Sequence, residues 1–300
     1  MNPIHLVLTV DRRHLLGCAV TMRSVVETAA PGAELCFHVA VDRVPKGDRE
    51  RLRLSTTGTG RQVTVRFVDF DVARVRHLTR SRLVSHAAYA RLFLEEFLPP
   101  GIARCIYLDC DLIVARDVGE LNALPLEGRT VGAVENLSAV EQAEHQARLK
   151  LSAPRYFNSG VMLVDLERWS SSRVRERARE SAEHIGDHLI LHDQDALNVT
   201  LDDDWTAIDW RWNVRTNDSR LTAQSDVVFH FMGAPKPWEV DYDGPFLERF
   251  RELLDRTAYR GRRPWNPAGI GRMVANARRR IPYLPGALRL LRVALRGGGA

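Results

Sequence analysis

Short apolar runs alternate with amphipathic stretches at the start of the chain, and this alternation constrains the fold more than any other feature. Three runs, at 4–10, 35–41 and 63–67, have the length and β-branched content of buried strands. Between them, residues 15–28 and 45–55 place apolar side chains at helical spacing. A β-α-β-α-β order predicts a parallel sheet covered by helices on both faces.

Two aspartates interrupt an apolar segment farther along the chain. Asp109 and Asp111 lie between the apolar runs 105–108 and 112–114, which both predict strands. Burying a bare carboxylate is costly, and residues i and i+2 of an extended chain point to the same side. The pair therefore predicts a divalent-cation site where the strand ends. A surface turn with two solvated acids is the alternative, and the apolar flanks favour the metal.

A histidine in the last predicted strand is a candidate third ligand. His230 lies in the apolar run 227–231, where a lone histidine is usually a core residue. A neutral imidazole is nevertheless a good ligand for a metal already held by two carboxylates. Gly233 would let the backbone approach an anion, and Lys236 would supply a positive charge to it. The remaining predicted elements are strands at 131–134 and 158–166 and helices at 85–98, 139–149, 167–188, from 192 onward and at 246–256.

Composition is that of an ordinary globular protein, with 300 residues and 45% hydrophobic side chains. No apolar run approaches the roughly 20 residues of a membrane span. The N-terminus lacks a basic leader and reads as a first strand rather than a signal peptide. The four cysteines form no C-x-x-C pair and have apolar neighbours. We therefore expect reduced, buried thiols in a cytoplasmic protein, and no zinc site built from these cysteines.

The positive charge is concentrated at the C-terminus. Residues 256–300 contain eleven arginines and no acidic residue, so the rest of the chain is mildly acidic. We predict a catalytic domain over 1–255 and a basic helical tail over 256–300. Arginines alternate with leucines in 287–296, which favours association with the inner face of an anionic membrane. A tail that is disordered or packs on its own domain is one alternative. Charge alone would also permit nucleic-acid binding, but no nucleic-acid partner is expected.

Taken together, these motifs resemble the retaining glycosyltransferases of family 8, the group of glycogenin and the bacterial lipopolysaccharide galactosyl- and glucosyltransferases. The resemblance covers roughly residues 4–240 and rests on the order of four segments: 109–111, 156–160, 193–198 and 230–238. It implies an α/β fold of GT-A type, with a Rossmann-like mixed sheet flanked by helices. It also implies a UDP-glucose or UDP-galactose donor, a glycan or lipid-linked acceptor, and Mn²⁺ as cofactor with Mg²⁺ as the alternative.

The resemblance assigns metal and diphosphate roles to residues in two segments. Asp109 and Asp111 match the metal-binding D-x-D motif, and His230 matches the third protein ligand. Gly233 and Lys236 match an element that contacts the diphosphate.

Further residues match donor and sugar positions. Asp11 matches a uracil or ribose contact, and Arg91 matches a basic residue that reaches the donor. Asn158, Asp193 and Gln194 match positions around the donor sugar. The sequence departs from the family pattern at His14, where a tyrosine is common, and this departure bears on base stacking. It departs again at Cys110, where alanine is common.

The catalytic step and the function class each leave alternatives. Asp193 is chemically a better nucleophile than the amide of Gln194, which the resemblance places nearest the anomeric carbon. We favour attack from the face of the leaving group, with the departing phosphate accepting the acceptor's proton. A nucleotidyltransferase would need a glycine-rich phosphate loop near the first strand, and residues 8–17 offer none. A non-catalytic module that binds sugar nucleotides or membranes is the remaining alternative, which the intact motif set disfavours.

Overall fold

The structure is a computed structural model of the chain and describes residues 3–78, 86–135 and 139–262. Within these ranges, no helix combines the length and the apolar character that crossing a bilayer requires.

A seven-stranded mixed sheet forms the centre of the fold, in the order β3-β2-β1-β4-β7-β6-β8. Strand β7 runs antiparallel to both of its neighbours, and the other pairs are parallel. The predicted parallel β-α-β-α-β opening is thus confirmed, and the sheet becomes mixed beyond β4. The strands are β1 (Ile4–Asp11), β2 (Glu34–Asp42), β3 (Gln62–Asp69), β4 (Arg104–Leu108), β6 (Val131–Glu135), β7 (Phe157–Asp165) and β8 (Trp205–Ala207).

A second, three-stranded sheet brings distant parts of the chain together. It consists of β5 (Leu112–Val114), β10 (Val228–His230) and β9 (Val214–Arg215), in that order. Strand β10 pairs antiparallel with β5, so that His230 lies opposite Leu112 and next to Asp111. The amide of Phe231 donates to the carbonyl of Asp111 over 3.0 Å. This pairing places the last strand beside the residues that follow β4.

Helices cover both faces of the central sheet. They are α1 (Leu15–Thr28), α2 (Lys46–Leu54), α3 (Val118–Asn122), α4 (Ala139–Leu149), α5 (Leu166–Ser171), α6 (Val174–Ile185), α7 (Asp193–Leu201) and α8 (Leu247–Asp255). The segment His86–Phe97 is a 3₁₀ helix with a break at Phe93, where an α-helix had been predicted. The predicted helix at 167–188 is divided into α5 and α6, because Arg173 takes a left-handed conformation between them.

Side-chain alternation along the strands separates two hydrophobic cores. In β1, Leu6, Leu8 and Val10 face the core shared with α1 and the small sheet. Val7 faces the opposite core, which contains the His86–Phe97 segment and α6. Successive strand residues point to opposite faces, so both faces of the strand must be apolar when both are covered. This explains the continuous apolar runs from which the strands were predicted.

The first residues of the predicted tail pack on the domain. Tyr259 is 1% exposed, and its hydroxyl donates to the carbonyl of Asp48 over 3.1 Å. Arg256 forms an ion pair with Glu27 at 2.9 Å. The predicted amphipathic segment 287–296 lies outside the described residues, so its membrane association stays a prediction.

Candidate active site

Three predicted metal ligands converge where β4 ends. Asp109 and Asp111 lie in the bend between β4 and β5, and His230 is the last residue of β10. One ligand atom from each residue lies within 4.8 Å of the other two. The Nε2 atom of His230 is 3.2 Å from Oδ1 of Asp111 and 3.8 Å from Oδ2 of Asp109. Two carboxylates and one imidazole form a donor set that suits Mn²⁺ or a similar divalent ion.

Neighbouring side chains orient the carboxylate of Asp109. Its Oδ1 atom accepts hydrogen bonds from Nη2 of Arg91 at 2.7 Å and from the hydroxyl of Tyr107 at 2.9 Å. Burial raises the pKa of Tyr107 well above its usual value, so the hydroxyl keeps the proton that it donates. Thr9 lies 3.1 Å from the same hydroxyl. With Oδ1 engaged in this way, Oδ2 is the oxygen that faces His230.

A relay of amide groups fixes the tautomer of His230. Its Nδ1 atom lies 2.8 Å from Oδ1 of Asn213, and Nδ2 of Asn213 donates to Oδ1 of Asn158 over 2.7 Å. Because that orientation makes the Asn213 oxygen an acceptor, Nδ1 of His230 carries the proton. In this tautomer the lone pair is on Nε2, the atom that faces the two aspartates. Hydrogen bonds of this kind behind a metal ligand set its orientation and basicity.

Gly160 leaves space for the cluster. A Cβ atom at this position would lie 2.4 Å from Cε1 of His230 and 2.8 Å from Oδ2 of Asp109. The carbonyl of Gly160 also accepts from the amide of Asp109 over 2.8 Å. The residue therefore has to be glycine for Asp109 and His230 to approach each other.

Lys236 contacts the cluster from the segment after β10. Its Nζ atom donates to Oδ2 of Asp111 and, over 2.7 Å, to the carbonyl of Phe231. Burial alone would raise the pKa of Asp111, but the charge of Lys236 outweighs burial and holds this pKa well below its usual range. Gly233 lies between His230 and Lys236 in the chain. Its φ is +78°, a backbone conformation that favours glycine.

Arg91 connects the cluster to the start of α7. It is 7% exposed, and its Nε atom forms an ion pair with Asp193 at 2.9 Å. Its Nη1 atom donates to the hydroxyl oxygen of Ser159 at 2.6 Å. Burial would lower the pKa of Arg91, but Asp109 and Asp193 raise it, so the guanidinium is charged. Burial raises the pKa of Asp193 to about 6, against the opposing effect of Arg91.

Gln194 is held by hydrogen bonds at both ends of its amide. Oε1 accepts from the backbone amide of Ser159 at 3.1 Å, and Nε2 donates to the hydroxyl of Tyr156 at 3.2 Å. That hydroxyl in turn donates to Asp195 over 2.6 Å. Asp195 is fully buried and forms an ion pair with Arg148 at 2.9 Å. This network fixes the first turn of α7 beside the strand that contains Asn158.

Asp11 lies at the end of β1, as predicted, and contacts the ring of His14. Its Oδ1 atom accepts from the backbone amide of Arg13 at 2.9 Å and lies 2.7 Å from Nδ1 of His14. The His14 ring meets Trp238 edge-on, with 5.8 Å between centroids. A Cβ atom at Gly17 would lie 2.4 Å from the Trp238 ring. The tight packing of α1 therefore fixes Trp238 and, through it, His14.

A cavity of about 250 Å³ opens beside the cluster, and His230 forms part of its wall. Arg215, Met232 and Tyr242 also line it. Pockets for drug-sized ligands are larger, about 300–1,000 Å³, so this one suits a single sugar or phosphate group.

Two residues that orient the proposed metal ligands, Tyr107 and Asn213, were absent from the sequence-based predictions. Tyr107 lies two residues before Asp109, so the two-residue period of a strand could have indicated it. Asn213 follows the tryptophan-rich stretch at 205–212 and lies 17 residues from His230 in the chain. No local pattern links it to the metal ligands, because its contact arises from the pairing of β9 with β10.

The chain is similar to glycosyltransferases of known sequence and structure. A family model described as glycosyl transferase family 8 matches residues 5–241. General stress protein A of Bacillus subtilis is 29% identical, over 89% of this chain and 96% of that protein. Lipopolysaccharide 1,2-glucosyltransferase of Escherichia coli is 25% identical, over 87% of this chain and 80% of that protein. The structure also resembles a crystal structure of galactosyltransferase LgtC in complex with donor and acceptor sugar analogues. The two superimpose with a TM-score of 0.74 and 26% sequence identity, over 85% of this chain and 96% of LgtC.

Proposed function

The chain belongs to glycosyl transferase family 8, and from this premise we propose that it is a metal-dependent, retaining hexosyltransferase. Its donor would be UDP-glucose or UDP-galactose, and its acceptor a glycan or a lipid-linked glycan. The GT-A fold predicted from the sequence is confirmed by the likeness to LgtC. The observation that supports the proposal most strongly is the convergence of Asp109, Asp111, His230 and Lys236 from two segments far apart in the chain.

The residues present fit a divalent cation. Asp109 offers Oδ2, and His230 offers Nε2 because Asn213 holds the proton on Nδ1. The carboxylate of Asp111 is ionised, since the charge of Lys236 keeps its pKa low. A cation bound there would neutralise negative charge on the diphosphate as the sugar leaves.

Lys236 supplies a second positive charge to the leaving group. Its side chain is 18% exposed and contacts Asp111, so the ammonium group lies directly beside the proposed metal ligands. An ammonium group at this position would stabilise the charge that develops on the β-phosphate. The left-handed backbone at Gly233 leaves open space around its Cα, which would let a phosphate approach the chain.

Arg91 and Asp193 form the side of the site nearest the sugar. Arg91 is bound to Asp109, Asp193 and Ser159 at once, so it keeps both carboxylates in fixed positions. An ionised Asp193 would accept a hydrogen bond from a sugar hydroxyl. Asn158, which accepts from Asn213 in the amide relay, would supply a further polar contact to the sugar.

The geometry favours attack from the face of the leaving group. Asp193 is 4% exposed and one of its carboxylate oxygens is bound to Arg91. The amide of Gln194 is engaged at both ends. Neither side chain is therefore well placed to form a covalent bond with the anomeric carbon. The phosphate oxygen that departs would take the proton from the acceptor hydroxyl.

UDP release from UDP-glucose and UDP-galactose, measured with and without Mn²⁺ and with candidate acceptors, tests the proposal. We expect release that depends on Mn²⁺ and that Asp109→Asn or Asp111→Asn abolishes. Asp117→Asn is the matched control, because Asp117 caps α3 through the amide of Gly119 and lies outside the cluster. Release that persists in a chelator, or in either site variant, would refute the assignment. Mn²⁺-dependent binding of UDP-sugar without any transfer would indicate the non-catalytic alternative.

A further inference from the structure

A second cluster of metal-binding side chains lies at the opposite end of the sheet. It comprises His5 on β1 and Cys36 and His38 on β2, with one ligand atom of each within 4.8 Å of the others. His5 pairs in register with Cys36, and His38 lies two residues farther along the same strand. The three side chains therefore point to one face of the sheet.

This cluster is separate from the candidate active site. Leu6 on β1 lies opposite Ile106 on the parallel strand β4, so Asp109 is level with Thr9. Four residues of strand separate His5 from that level, which corresponds to about 13 Å. None of the residues with a proposed role in sugar transfer belongs to the cluster.

The two histidines already have the spacing of metal ligands. Nδ1 of His5 lies 3.0 Å from Nε2 of His38. Two nitrogens bound to Zn²⁺ at about 2.0–2.1 Å with tetrahedral angles lie about 3.3 Å apart. A few tenths of an ångström of movement would thus admit an ion between them.

The surroundings keep both rings neutral. His38 is 0% exposed, its Nδ1 atom has no hydrogen bond of ordinary geometry, and the backbone of Phe97 faces the ring. Burial lowers the pKa of His38 to about 4 and also lowers the pKa of His5. Neutral imidazoles have the lone pairs that a metal needs.

Charged neighbours act on the cluster with opposite signs. Glu34 is exposed, points to the same face of β2 as Cys36, and raises the pKa of both His5 and Cys36. Arg66 lies opposite His38 on β3, and its charge lowers the pKa of all three residues. Burial raises the pKa of the Cys36 thiol, and the charge of Arg66 opposes this by favouring the thiolate that a metal would create.

We propose that His5, Cys36 and His38 form a second metal site, which binds a thiophilic divalent ion such as Zn²⁺. The nitrogen and sulfur donors suit Zn²⁺, whereas the oxygen-rich Asp109 cluster suits Mn²⁺. Three protein ligands leave one position for water or for Glu34. On binding, the Cys36 thiol forms the metal–sulfur bond and releases its proton to solvent. The ion would tie β1 to β2 at the end of the sheet away from the candidate active site.

Cobalt titration of the full-length, metal-stripped protein tests this site, because Co²⁺ bound by a thiolate shows a charge-transfer band. We expect one equivalent of Co²⁺ to produce the band and Zn²⁺ to abolish it by displacement. The band should persist when Asp109 and Asp111 are both replaced by Asn. Cys36→Ala should remove it and Cys105→Ala, a matched buried cysteine, should not. His5→Gln should weaken Co²⁺ binding by more than about 10-fold, at least the loss typical of a residue that only supports a ligand, whereas the exposed His77→Gln should leave it unchanged.

Absence of the band in the wild-type protein, or its persistence in Cys36→Ala, would overturn the proposal. A band lost with Asp109 and Asp111 would place the ion in the other site and overturn it equally. Should Cys36→Ala not fold, alkylation of the wild-type protein decides. Mass spectrometry locates the modified cysteine. We expect Zn²⁺ to slow alkylation of Cys36 by at least about 10-fold, the smallest change in metal affinity expected when a group that supports a ligand is removed. Equal modification rates with and without Zn²⁺ would rule the site out.

Discussion

Replacing Gly160 by alanine tests whether Asp109 and His230 form one site. The new Cβ would lie 2.4 Å from Cε1 of His230, 2.8 Å from Oδ2 of Asp109 and 2.9 Å from Oδ1 of Asn158. Ordinary contacts begin near 3.4 Å, so the His230 ring has to move by about 1 Å. Overpacking of this kind costs about 1–3 kcal/mol of folding free energy.

The functional loss should be larger than the loss of stability. A displacement of about 1 Å in a group that positions the reaction can lower the rate by about 100-fold. We therefore expect Gly160→Ala to remain folded, to bind Mn²⁺ more weakly and to release UDP about 100-fold more slowly than the wild type. The assays are Mn²⁺ titration of UDP release and denaturant unfolding of the same preparation.

Gly132→Ala provides the matched control. Gly132 lies on β6, and a Cβ there would meet Leu126 at 2.8 Å and Ile208 at 3.2 Å. Both contacts are with the ends of flexible side chains, away from the cluster. We expect a loss of about 1 kcal/mol in stability and an unchanged Mn²⁺ dependence. Wild-type Mn²⁺ affinity and rate in Gly160→Ala would refute the inference that these side chains share one ion.

Three further substitutions test the groups behind the site. Asn213→Ala removes the acceptor that holds the proton on Nδ1 of His230, so Mn²⁺ affinity should fall about 10–100-fold; an unchanged titration curve would contradict the relay. Because burial raises the pKa of Asp193 to about 6, transfer should decline as the pH falls through 6 and this carboxylate becomes protonated. Asp193→Asn should transfer sugar slowly and show no such decline. If the variant has the pH profile of the wild type, protonation of Asp193 is not the cause of the decline. Asp195→Ala removes a fully buried carboxylate that accepts from Tyr156 and from the backbone amides of Ile190 and Leu191, and leaving these donors unpaired should lower the free energy of unfolding by about 3 kcal/mol; a denaturant midpoint within error of the wild type would contradict this.

The order of the secondary elements could be predicted from the sequence because each depends on a local pattern. The strands at 4–10, 35–41 and 63–67 and the helix at 139–149 appear with closely similar bounds. The reversal of β7 was beyond this reasoning, because strand direction depends on the connections between elements.

The candidate site was predictable only where motifs were contiguous. Asp109 and Asp111 were found from their apolar flanks, and His230 from its place in a strand. Asn213 was missed because its contact with His230 depends on the parallel pairing of β9 and β10. The cluster of His5, Cys36 and His38 has no signal in the spacing of the cysteines for a similar reason. Cys36 meets His5 only through the register of β1 and β2. Interactions that depend on register between distant segments leave no local signature.

Arg91 shows how tertiary structure changes the meaning of a residue. In sequence, an arginine on an amphipathic segment is most often a surface cation. Here the 3₁₀ conformation of His86–Phe97 directs it inward, where Asp109, Asp193 and Ser159 satisfy its donors. A buried arginine is stable only when it is paired in this way.

Binding of UDP, measured by titration calorimetry with and without Mn²⁺, tests the central claim most directly. If Asp109, Asp111, His230 and Lys236 hold one cation against a diphosphate, UDP should bind tightly only when Mn²⁺ is present. Replacing His230 by Ala should then remove the effect of Mn²⁺, and replacing Lys236 by Ala should weaken binding while the Mn²⁺ dependence remains. Equal affinity for UDP in Mn²⁺ and in chelator would contradict the account.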